Sequence, residues 1–587
     1  MNKKLVMAMM MGLTAAGMAS AATNYVSTYY GSNVLTNDMT WTSDDVWVLD
    51  DVIFVGNNAV LTIEPGTVIR GTPDSYDATP NNPGTLIIAR GSKIYVNGEE
   101  GNPVVMTDMD DDAVKGSAGT GEYADPASQL NAQWGGLVVC GKTYIALNTL
   151  SGPTFKENLV EGLTLDGVND NLMRYGGTDD DDDSGVLKYL SIRYGGISTS
   201  PTKEINGLSL YAVGRGTELH HVEAVNTLDD AFEWFGGTVN SKYLVAWNCG
   251  DDSFDSDEGF RGKNQFLLAL QGNCGGAIGS GKADNGMEVD SGNGVDGSQP
   301  YALNQWYNMT LVGLNTADAK NPIMEARDNG TPQIRNSVFM DFGSGVIYED
   351  LSSGVDCMQR YTTAWNSLPT DTIGEHTPAY YYRTLFDGNQ SELKDSVFYN
   401  IASADLTPAA AGTAANYSDD GTKIDAGGTQ PDLLSGTGNV DSDAVAPIMG
   451  AAQRDAATGN ITNINLLANM SHPNMTASSP APAGFYTPVT YKGAFGDYNW
   501  LADWSLLETK GVVSTASNPS APAATIQLVG SAVSFQSVNG VNYAVESTDN
   551  LTDWSVEAVV EGDGSVMSVA TIVGTLDNTK SYRVTLP

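Results

Sequence analysis

Basic residues are scarce in this sequence. The chain has 587 residues, and its 29 lysines and arginines face 70 aspartates and glutamates, for a formal net charge of −41 at pH 7. Nucleic acids and anionic lipid surfaces attract proteins through positive charge, so this balance argues against both as partners. An acidic chain suits divalent cation binding or a well-solvated exterior.

Cysteine and histidine are rarer still, with four of each. No CxxC pair and no Cys/His cluster is present, which excludes the usual zinc and dithiol sites. Cys249 and Cys274 lie one coil apart on the repeat described below, so the sequence leaves open a disulfide between them or two buried thiols. Cys140 and Cys357 are further candidates for buried thiols. Phosphate-loop, nucleophile-elbow and kinase signatures are missing as well.

Long apolar runs are missing except at the N-terminus. Two lysines precede an apolar run at residues 5–18, and Ala19-Ser20-Ala21 then offers a small-residue cleavage site. The run is too short to span a bilayer comfortably. We therefore expect residues 1–22 to be a signal peptide, and the mature protein to be secreted or on the outer cell surface without membrane insertion.

Amphipathic helical periodicity is almost absent from the rest of the chain. In its place the sequence has short β-prone runs bounded by Gly, Asn and Asp, as at residues 60–63, 85–88, 93–96 and 137–139. This texture predicts an all-β protein.

An internal repeat identifies the kind of all-β fold. Residues 229–237 align with residues 251–259 at an offset of 22, and Asp, Asp, Phe, an acid and Gly coincide. One period over successive turns predicts a right-handed parallel β-helix, in which each coil hydrogen-bonds to the next. Phe232 would then stack on Phe254 inside the cylinder.

The strands that precede these segments keep the same offset. Val222 aligns with Leu244, and a further step of 22 reaches Phe266. We expect these three side chains to form a second stack inside the cylinder.

The repeat defines the domain organisation. Long insertions at 355–392 and 403–470 interrupt the later coils, and the aromatic-rich residues 493–504 are suited to closing the end of the cylinder. Short alternating runs near the C-terminus predict a small antiparallel β-sandwich. The sequence therefore divides into a signal peptide (1–22), an N-terminal cap (23–58), the β-helix with loop insertions (59–510), a Ser/Ala/Pro-rich linker (511–524) and the β-sandwich (525–587).

Several motifs resemble those of a family. Residues 61–71 (LTIEPGTVIRG), 194–196 (YGG), 250–255, 259–263 and 493–495 are similar to segments of bacterial exported β-helix proteins with pectate-lyase-like solenoids. The resemblance covers roughly residues 40–510 and implies the fold, but the group has no settled activity to carry over. The C-terminal residues 543–554 and 582–584 resemble small modules on exported proteins of Verrucomicrobia and their relatives, which implies a surface or sorting role.

The best candidate site is an acid ladder on the repeat. Paired aspartates on adjacent coils would lie about 4.8 Å apart, and carboxylates so close raise each other's pKa unless a cation or a basic side chain neutralises them. Calcium is the natural cation for such oxygens, Arg261 and Lys263 are alternatives, and a purely structural ladder is a third possibility. The candidate calcium ligands are Asp229, Asp230, Asp251, Asp252, Asp255, Asp257 and Glu258.

A catalytic role is the alternative for the same place. Asp230, Asp251 and Asp252 resemble the carboxylates of polygalacturonase-type β-helix hydrolases, which protonate a leaving oxygen and activate water. Those enzymes also carry a Gly-His-Gly segment, where this chain reads Gly-Phe-Arg-Gly at 259–262. A lyase would instead need calcium and a basic residue, for which Arg261 is a candidate, with Arg193 and Lys263 as others.

Two further acid runs, 179–183 and 108–112, are interpreted as solvated loops rather than calcium sites, because neither has the order of an EF-hand. Four aromatic residues could stack on sugars or pack in the core: Trp234, Phe235, Trp306 and Tyr307.

Taken together, the sequence favours a secreted or cell-surface structural or adhesive protein, stabilised by calcium and contacting polysaccharide. A polysaccharide lyase or glycoside hydrolase acting on acidic polysaccharide is the alternative. Self-assembly through the ends of the solenoid stays open.

Overall fold

The structure is a computed structural model. It describes residues 21–73, 83–111, 114, 134–147, 156–161, 169–200, 203–278, 280–292, 299–316, 320–328, 330–348, 390–402, 434, 437–441 and 445–513, and tail strands within 526–585. The predicted signal peptide, Cys357 and most of the predicted insertion 355–392 lie outside the described residues. Within the described part, no helix is long and apolar enough to cross a membrane.

Short strands dominate the described chain. The first group is β1 (Thr23–Tyr25), β2 (Val34–Leu35), β3 (Met39–Trp41), β4 (Val46–Leu49), β5 (Val52–Val55), β6 (Val60–Ile63), β7 (Val68–Gly71), β8 (Thr85–Ile88), β9 (Lys93–Asn97), β10 (Val104–Asp108) and β11 (Gly136–Cys140). The second is β12 (Asn158–Leu159), β13 (Arg174–Tyr175), β14 (Gly185–Arg193), β15 (Ile197–Ser200), β16 (Lys203–Ile205), β17 (Leu208–Tyr211), β18 (Glu218–Val225), β19 (Phe232–Phe235), β20 (Asn240–Trp247), β21 (Phe254–Asp257) and β22 (Lys263–Leu270).

The remaining described strands lie between Asn273 and Thr585. Those before the tail are β23 (Asn273–Ile278), β24 (Ser280–Lys282), β25 (Glu288–Val289), β26 (Gln305–Tyr307), β27 (Thr310–Val312), β28 (Pro322–Ala326), β29 (Gln333–Arg335), β30 (Val338–Met340), β31 (Ser344–Tyr348), β32 (Glu392–Lys394), β33 (Val397–Tyr399), β34 (Val440–Asp441), β35 (Ile448–Arg454) and β36 (Ile461–Ala468). The tail has β37 (Ile526–Val529), β38 (Ala532–Gln536), β39 (Asn542–Thr548), β40 (Ser555–Glu561), β41 (Val566–Ser568) and β42 (Ser581–Thr585). Among the described residues, the helices are α1 (Val26–Tyr30), α2 (Leu506–Thr509) and a 3-10 turn (Asp170–Leu172).

The strands wind into a right-handed parallel β-helix with three faces. Face 1 runs from β1, β4, β7 and β10 through the second halves of β14, β18, β20 and β22 to β27, β30, β33 and β34. Face 2 is the ten-stranded sheet of β2, β5, β8, β11, β17, β19, β21, β25, β28 and β31. Face 3 runs from β3, β6 and β9 through the first halves of β14, β18, β20 and β22 to β26, β29 and β32.

A single left-handed residue makes the corner between face 3 and face 1. Positive φ angles recur at this corner coil after coil, which lets a continuous strand such as β18 bend between two sheets. Stacked rings support the corner. The ring centroid of His221 lies 4.5 Å from that of Tyr189 and 4.4 Å from that of Tyr243, whose centroid lies 5.1 Å from that of Phe266. The corner residues are Tyr189, His221, Tyr243, Phe266, Asn308, Asn336 and Asp395.

The predicted repeat is confirmed for two coils and shifts at the third. Phe232 pairs with Phe254 at ring centroids 5.7 Å apart, and Val222 pairs with Leu244. The next partner of Leu244 is Leu267, so the predicted stacking of Phe266 inside the cylinder was wrong. The turn at 258–262 is one residue longer than the turn at 236–239. The offset between paired residues of successive coils therefore increases from 22 to 23 residues.

Residues 445–513, the side segment, cover the outside of face 1. Trp500, Trp504 and Leu507 pack there on outward apolar residues such as Val245 and Leu268. The aromatic-rich segment 493–504 therefore covers a flank of the cylinder, and the prediction that it closes the end was wrong. Face 1 is apolar on both sides because both sides are buried.

The two ends of the chain differ in kind. Residues 23–58 contain β1 to β5, which pair within faces 1, 2 and 3, so regular coils begin at Thr23. The tail strands instead form two three-stranded antiparallel sheets, in agreement with the predicted small β-sandwich.

The described cysteines are free and buried. Cys274 donates a hydrogen bond from Sγ to the Asn248 carbonyl at 2.9 Å, and Cys249 Sγ lies 3.5 Å from the Ser253 hydroxyl. The structure therefore has no Cys249–Cys274 disulfide, and the buried-thiol interpretation is the one that holds.

Candidate functional site

The acid ladder lies on the outside of face 2 and on the turn that leads into it. Side chains of β19 and β21 alternate, so Phe232 and Phe254 point into the core while Glu233 and Asp255 point outward. The parallel register sets Glu233 beside Asp255 on the next coil.

The turn before each strand adds two more aspartates per coil. Asp229 and Asp230 precede β19, and Asp251 and Asp252 precede β21 at the predicted offset of 22. The Asp252 backbone N–H donates to Asp230 Oδ1 at 2.9 Å, which fixes one turn on the other.

Two groups of three carboxylates come together here. One is Asp229, Asp230 and Asp251, and the other is Asp230, Glu233 and Asp255; in each, one ligand oxygen per residue lies within 4.8 Å of the others. Oxygens that bind one calcium ion at about 2.3–2.6 Å can be no more than about 5 Å apart, so both groups fit that ion. We name these five residues, of which Asp230 belongs to both groups, the acid centre.

Burial dominates the electrostatics of the acid centre. Desolvation raises the pKa of Asp229, Asp230 and Glu233 well above the ordinary range, and neighbouring carboxylates raise it further. Desolvation also raises the pKa of Asp255, to about 8. The negative charge of Asp290 raises this pKa further, and the positive charge of Arg327 lowers it. Asp255 Oδ1 is buried and has no hydrogen-bond partner among the described residues.

The outward acids continue along face 2. Asp255 pairs in register with Glu288, and Glu288 with Glu325. Arg327 forms ion pairs with Glu288 and Asp290. At this end of the ladder a basic side chain of the protein therefore neutralises part of the acidic charge.

Three predicted ligands lie outside the acid centre. Asp252 accepts hydrogen bonds from the Asn285 backbone at 2.7 Å and from its amide at 3.1 Å. Glu258 accepts hydrogen bonds from Tyr175 at 3.0 Å and from Asn158 at 3.2 Å, and burial raises its pKa to about 8. Asp257 has a raised pKa through burial and through Asp290.

Arg261 is not placed to act as a base. Its guanidinium is completely buried and pairs with both oxygens of Asp180, at 2.6 and 2.9 Å. Lys263 begins a strand of face 3, and Arg193 pairs with Asp111 at 3.5 Å. The basic residues that the sequence suggested for a lyase therefore serve elsewhere in the fold.

The other two acid runs are only partly solvated. The interpretation as solvated loops agrees with the exposed Asp179, Asp181 and Asp183, and it was wrong for the buried aspartates. Asp180 and Asp182 are buried, and the run is matched by basic residues: Arg261 for Asp180, Arg215 for Asp181, Lys142 for Asp182 and Lys93 for Asp183. In the other run Asp108 and Asp111 are buried, and burial raises the pKa of Asp108 to about 7.

The suggested sugar-stacking aromatics all belong to the interior or to covered faces. Trp234, Phe235, Trp306 and Tyr307 are each at most 4% exposed. These side chains therefore pack in the protein interior, which is the usual role of buried aromatic residues.

Glu233 is the one member of the acid centre missing from the predicted ligands. The sequence does contain the signal, because the 22-residue alignment sets Glu233 opposite Asp255. Acidic residues at matching outward positions of two adjacent coils are predicted to lie side by side on the outside of the sheet.

Comparison with known proteins gives one result. A family model described as a pectate-lyase like beta helix domain matches residues 33–418, which is more than half of the chain. No curated protein and no solved structure matches the sequence.

Proposed function

The chain belongs to the pectate-lyase-like beta helix family, and on that premise we propose that it is an exported structural or adhesive protein. In this proposal the acid centre binds calcium, calcium stabilises the coils, and the solenoid contacts polysaccharide at the outer cell surface. The small C-terminal β-sandwich serves in surface attachment or sorting, and end-to-end self-assembly is a further expectation.

The observation that carries the proposal is the sharing of Asp230 by two carboxylate groups. Each group requires either protons or a cation, because buried like charges so close together repel strongly. Calcium is hard, prefers carboxylate oxygens and is plentiful outside cells. Support for a structural role comes from the placement of the acids on adjacent coils, where one ion holds two coils together.

Calcium titration of the mature chain, residues 23–587, tests the proposal. We expect calcium to bind after chelator treatment and to raise the melting temperature, since a ligand that binds only the folded state stabilises it. Asp230→Asn should abolish both effects. Asp44→Asn, which removes an exposed acid at a turn, is the matched control and should leave both unchanged.

The proposal would be wrong if calcium did not change the melting temperature of the wild-type chain. Should Asp230→Asn fail to fold, Asp251→Asn replaces it, because Asp251 is only partly buried and belongs to one group alone.

Cleavage of acidic polysaccharide is the second candidate function. It is favoured by one observation, the raised pKa of Asp255 and Glu258 to about 8, because a carboxyl group that stays protonated at neutral pH can act as a general acid. Incubation with acidic and neutral polysaccharides, followed by assays for reducing ends and unsaturated uronates, tests it. Product release that is lost in Asp255→Asn or Glu258→Gln with the fold intact would establish an enzyme.

A further inference from the structure

Two consecutive histidines meet at the corner between face 3 and face 1. His221 is a corner residue with a φ of 51°, and its Nδ1 atom lies 2.8 Å from Nδ1 of His220. The other ring nitrogen of His220, Nε2, lies 2.9 Å from Glu218 Oε1. Glu218, His220 and His221 therefore form one hydrogen-bonded series, which we name the histidine chain.

The contacts of the histidine chain fix where its protons lie. A hydrogen bond between two ring nitrogens holds one proton, and a carboxylate can only accept. With both rings neutral, His220 Nε2 donates to Glu218 and His221 Nδ1 donates to His220 Nδ1. One added proton is accommodated, because a His220 imidazolium donates to Glu218 and to His221 at once. A second added proton puts an N–H on both sides of the contact between the rings and breaks it.

The side segment packs on the ring of His221. Trp504 and Trp500 stand nearly at right angles to this ring, at centroid distances of 5.7 and 6.4 Å, while Tyr189 and Tyr243 stack on it. Both indole N–H groups donate to carbonyls within the side segment, to Ala494 from Trp500 and to Trp500 from Trp504. The side segment therefore offers aromatic surface to His221 and no indole hydrogen bond.

We propose that the histidine chain is a proton-operated latch of the side segment, closed at neutral pH and opened by mild acid. In the closed state the two tryptophans pack on a neutral imidazole. In the open state the side segment lifts from the corner, and His221 takes up a proton in contact with water. Opening uncovers outward apolar residues of face 1, such as Val245 and Leu268.

The direction of the switch follows from the state that binds the proton more tightly. Burial lowers the pKa of His221 well below its ordinary value of 6.5, and the charge of His220 lowers it further. The contribution of His221 to docking is therefore complete above about pH 6.5 and is lost as pH falls below that value. A difference of one bound proton changes the docking equilibrium by about tenfold per pH unit.

Two carboxyl groups at the same junction oppose the latch. Burial raises the pKa of Glu223, which accepts hydrogen bonds from Ser505 and Leu506, and it raises the pKa of Asp497. Both groups hold a proton more tightly in the docked state, so they favour docking as pH falls. The other titratable or charged groups on the elements packed around His221 are Glu100, Lys188, Tyr189, Lys242, Tyr243, Tyr491, Tyr498 and Asp503. The effect of His221 is consequently measured as a difference between variants that share these groups.

The latch is independent of the proposed function. The acid centre lies on face 2, and the raised pKa of its carboxyl groups stabilises the coils as pH falls. Acid therefore loosens the side segment while the β-helix beneath it stays folded. The test below uses neither a metal ion nor a glycan, so its outcome does not depend on the calcium proposal.

Hydrogen exchange of the mature chain, residues 23–587, tests the inference. Mass spectrometry follows the amides of residues 498–507 at pH 7.0 and pH 5.5, and each rate is divided by the intrinsic exchange rate at that pH. We expect protection of this segment to fall at pH 5.5, by up to about tenfold for one proton. Strands β5 and β8 should keep their protection. Glu223→Gln, which removes one opposing carboxyl group, should enlarge the fall.

His221→Asn is the discriminating variant. Asparagine already occupies this corner with a positive φ at Asn308 and Asn336, so it suits the backbone, and it does not titrate. The variant should weaken protection at pH 7.0, because the stack loses a ring, and should abolish the further fall at pH 5.5. Burial also lowers the pKa of His472 in the side segment, so His472→Gln is the matched control and should retain the fall.

Nuclear magnetic resonance of the wild-type imidazoles keeps the test valid if His221→Asn does not fold. Below pH 6.5 His220 should take up a proton before His221, which should stay neutral in the docked state. The inference is overturned if His221 titrates at its ordinary pKa while residues 498–507 keep their protection. It is equally overturned if His221→Asn shows the wild-type fall, or if His472→Gln abolishes it.

Discussion

Glu223 and Ser505 stand 282 positions apart in the sequence and meet through a hydrogen bond of 2.6 Å from the Ser505 hydroxyl to Glu223 Oε2. The backbone N–H of Leu506 donates to both oxygens of the same carboxylate, at 2.8 and 3.0 Å. Glu223 is fully buried, and burial raises its pKa. This carboxylate therefore fastens the side segment to face 1.

Removal of that hydroxyl tests the fastening. Ser505→Ala should lower the free energy of unfolding by about 1.5–3 kcal/mol, the range for a hydrogen bond to a charged group. Urea unfolding measures the change, and Ser471→Ala, at an exposed position, is the matched control. A loss no larger than that of the control would mean that the contact adds nothing to stability.

The buried pair of Arg261 and Asp180 should tolerate substitution poorly. Arg261→Met leaves the Asp180 carboxylate without its cation, at a cost of about 3–5 kcal/mol. Combining it with Asp180→Leu should recover part of the loss, since both charges are then gone. Thermal unfolding of the three variants checks this, and a double variant less stable than Arg261→Met would contradict the charge argument.

Stability without calcium should fall as pH rises. The pKa of Asp255 lies at about 8 in the folded chain against 3.8 ordinarily, so the folded state holds its proton where the unfolded chain has lost it. The stabilisation is complete below the ordinary value and is lost as pH rises towards about 8.

Melting temperatures in chelator at pH 5 and pH 8 measure that loss. Calcium should reduce the difference, because the ion takes the place of the protons. Asp255→Asn should also reduce it, whereas Asp44→Asn should not. Equal melting temperatures at both pH values in chelator would contradict the prediction.

The phenylalanine stack should be a centre of stability. Phe254→Ala should cost about 3–5 kcal/mol, because it leaves a cavity between Phe232 and the next coil. Met449→Ala, at a methionine that is 53% exposed, is the control and should change stability by less than about 0.5 kcal/mol. Chemical denaturation compares the two.

Local pattern was enough to predict the coil. The pairing of Phe232 with Phe254 is visible in the sequence because a strand and a turn of constant length repeat. The prediction failed at Phe266 because one added residue in a turn leaves no periodic signal. The acid centre could be predicted for the same reason as the coil, since its members occupy equivalent positions on two coils.

Contacts between distant parts of the chain could not be predicted. Asp180 and Arg261 are 81 positions apart, and nothing near either residue indicates its partner. The separation of Asp252 from the acid centre likewise depends on Asn285, which an irregular connection brings to it. Single-sequence patterns report the period of a strand, and they do not report which loop folds back on it.

The side segment changes how the solenoid can come apart. A stack whose coils touch only their neighbours can fray from its ends one coil at a time. Here one segment is hydrogen-bonded near Gly101 through Asp503, and to Asn336 through Gly493, far along the axis. A pulling force or a processive protease would therefore have to detach the side segment before it could unfold single coils. Coils that would otherwise unfold one after another are expected to unfold together.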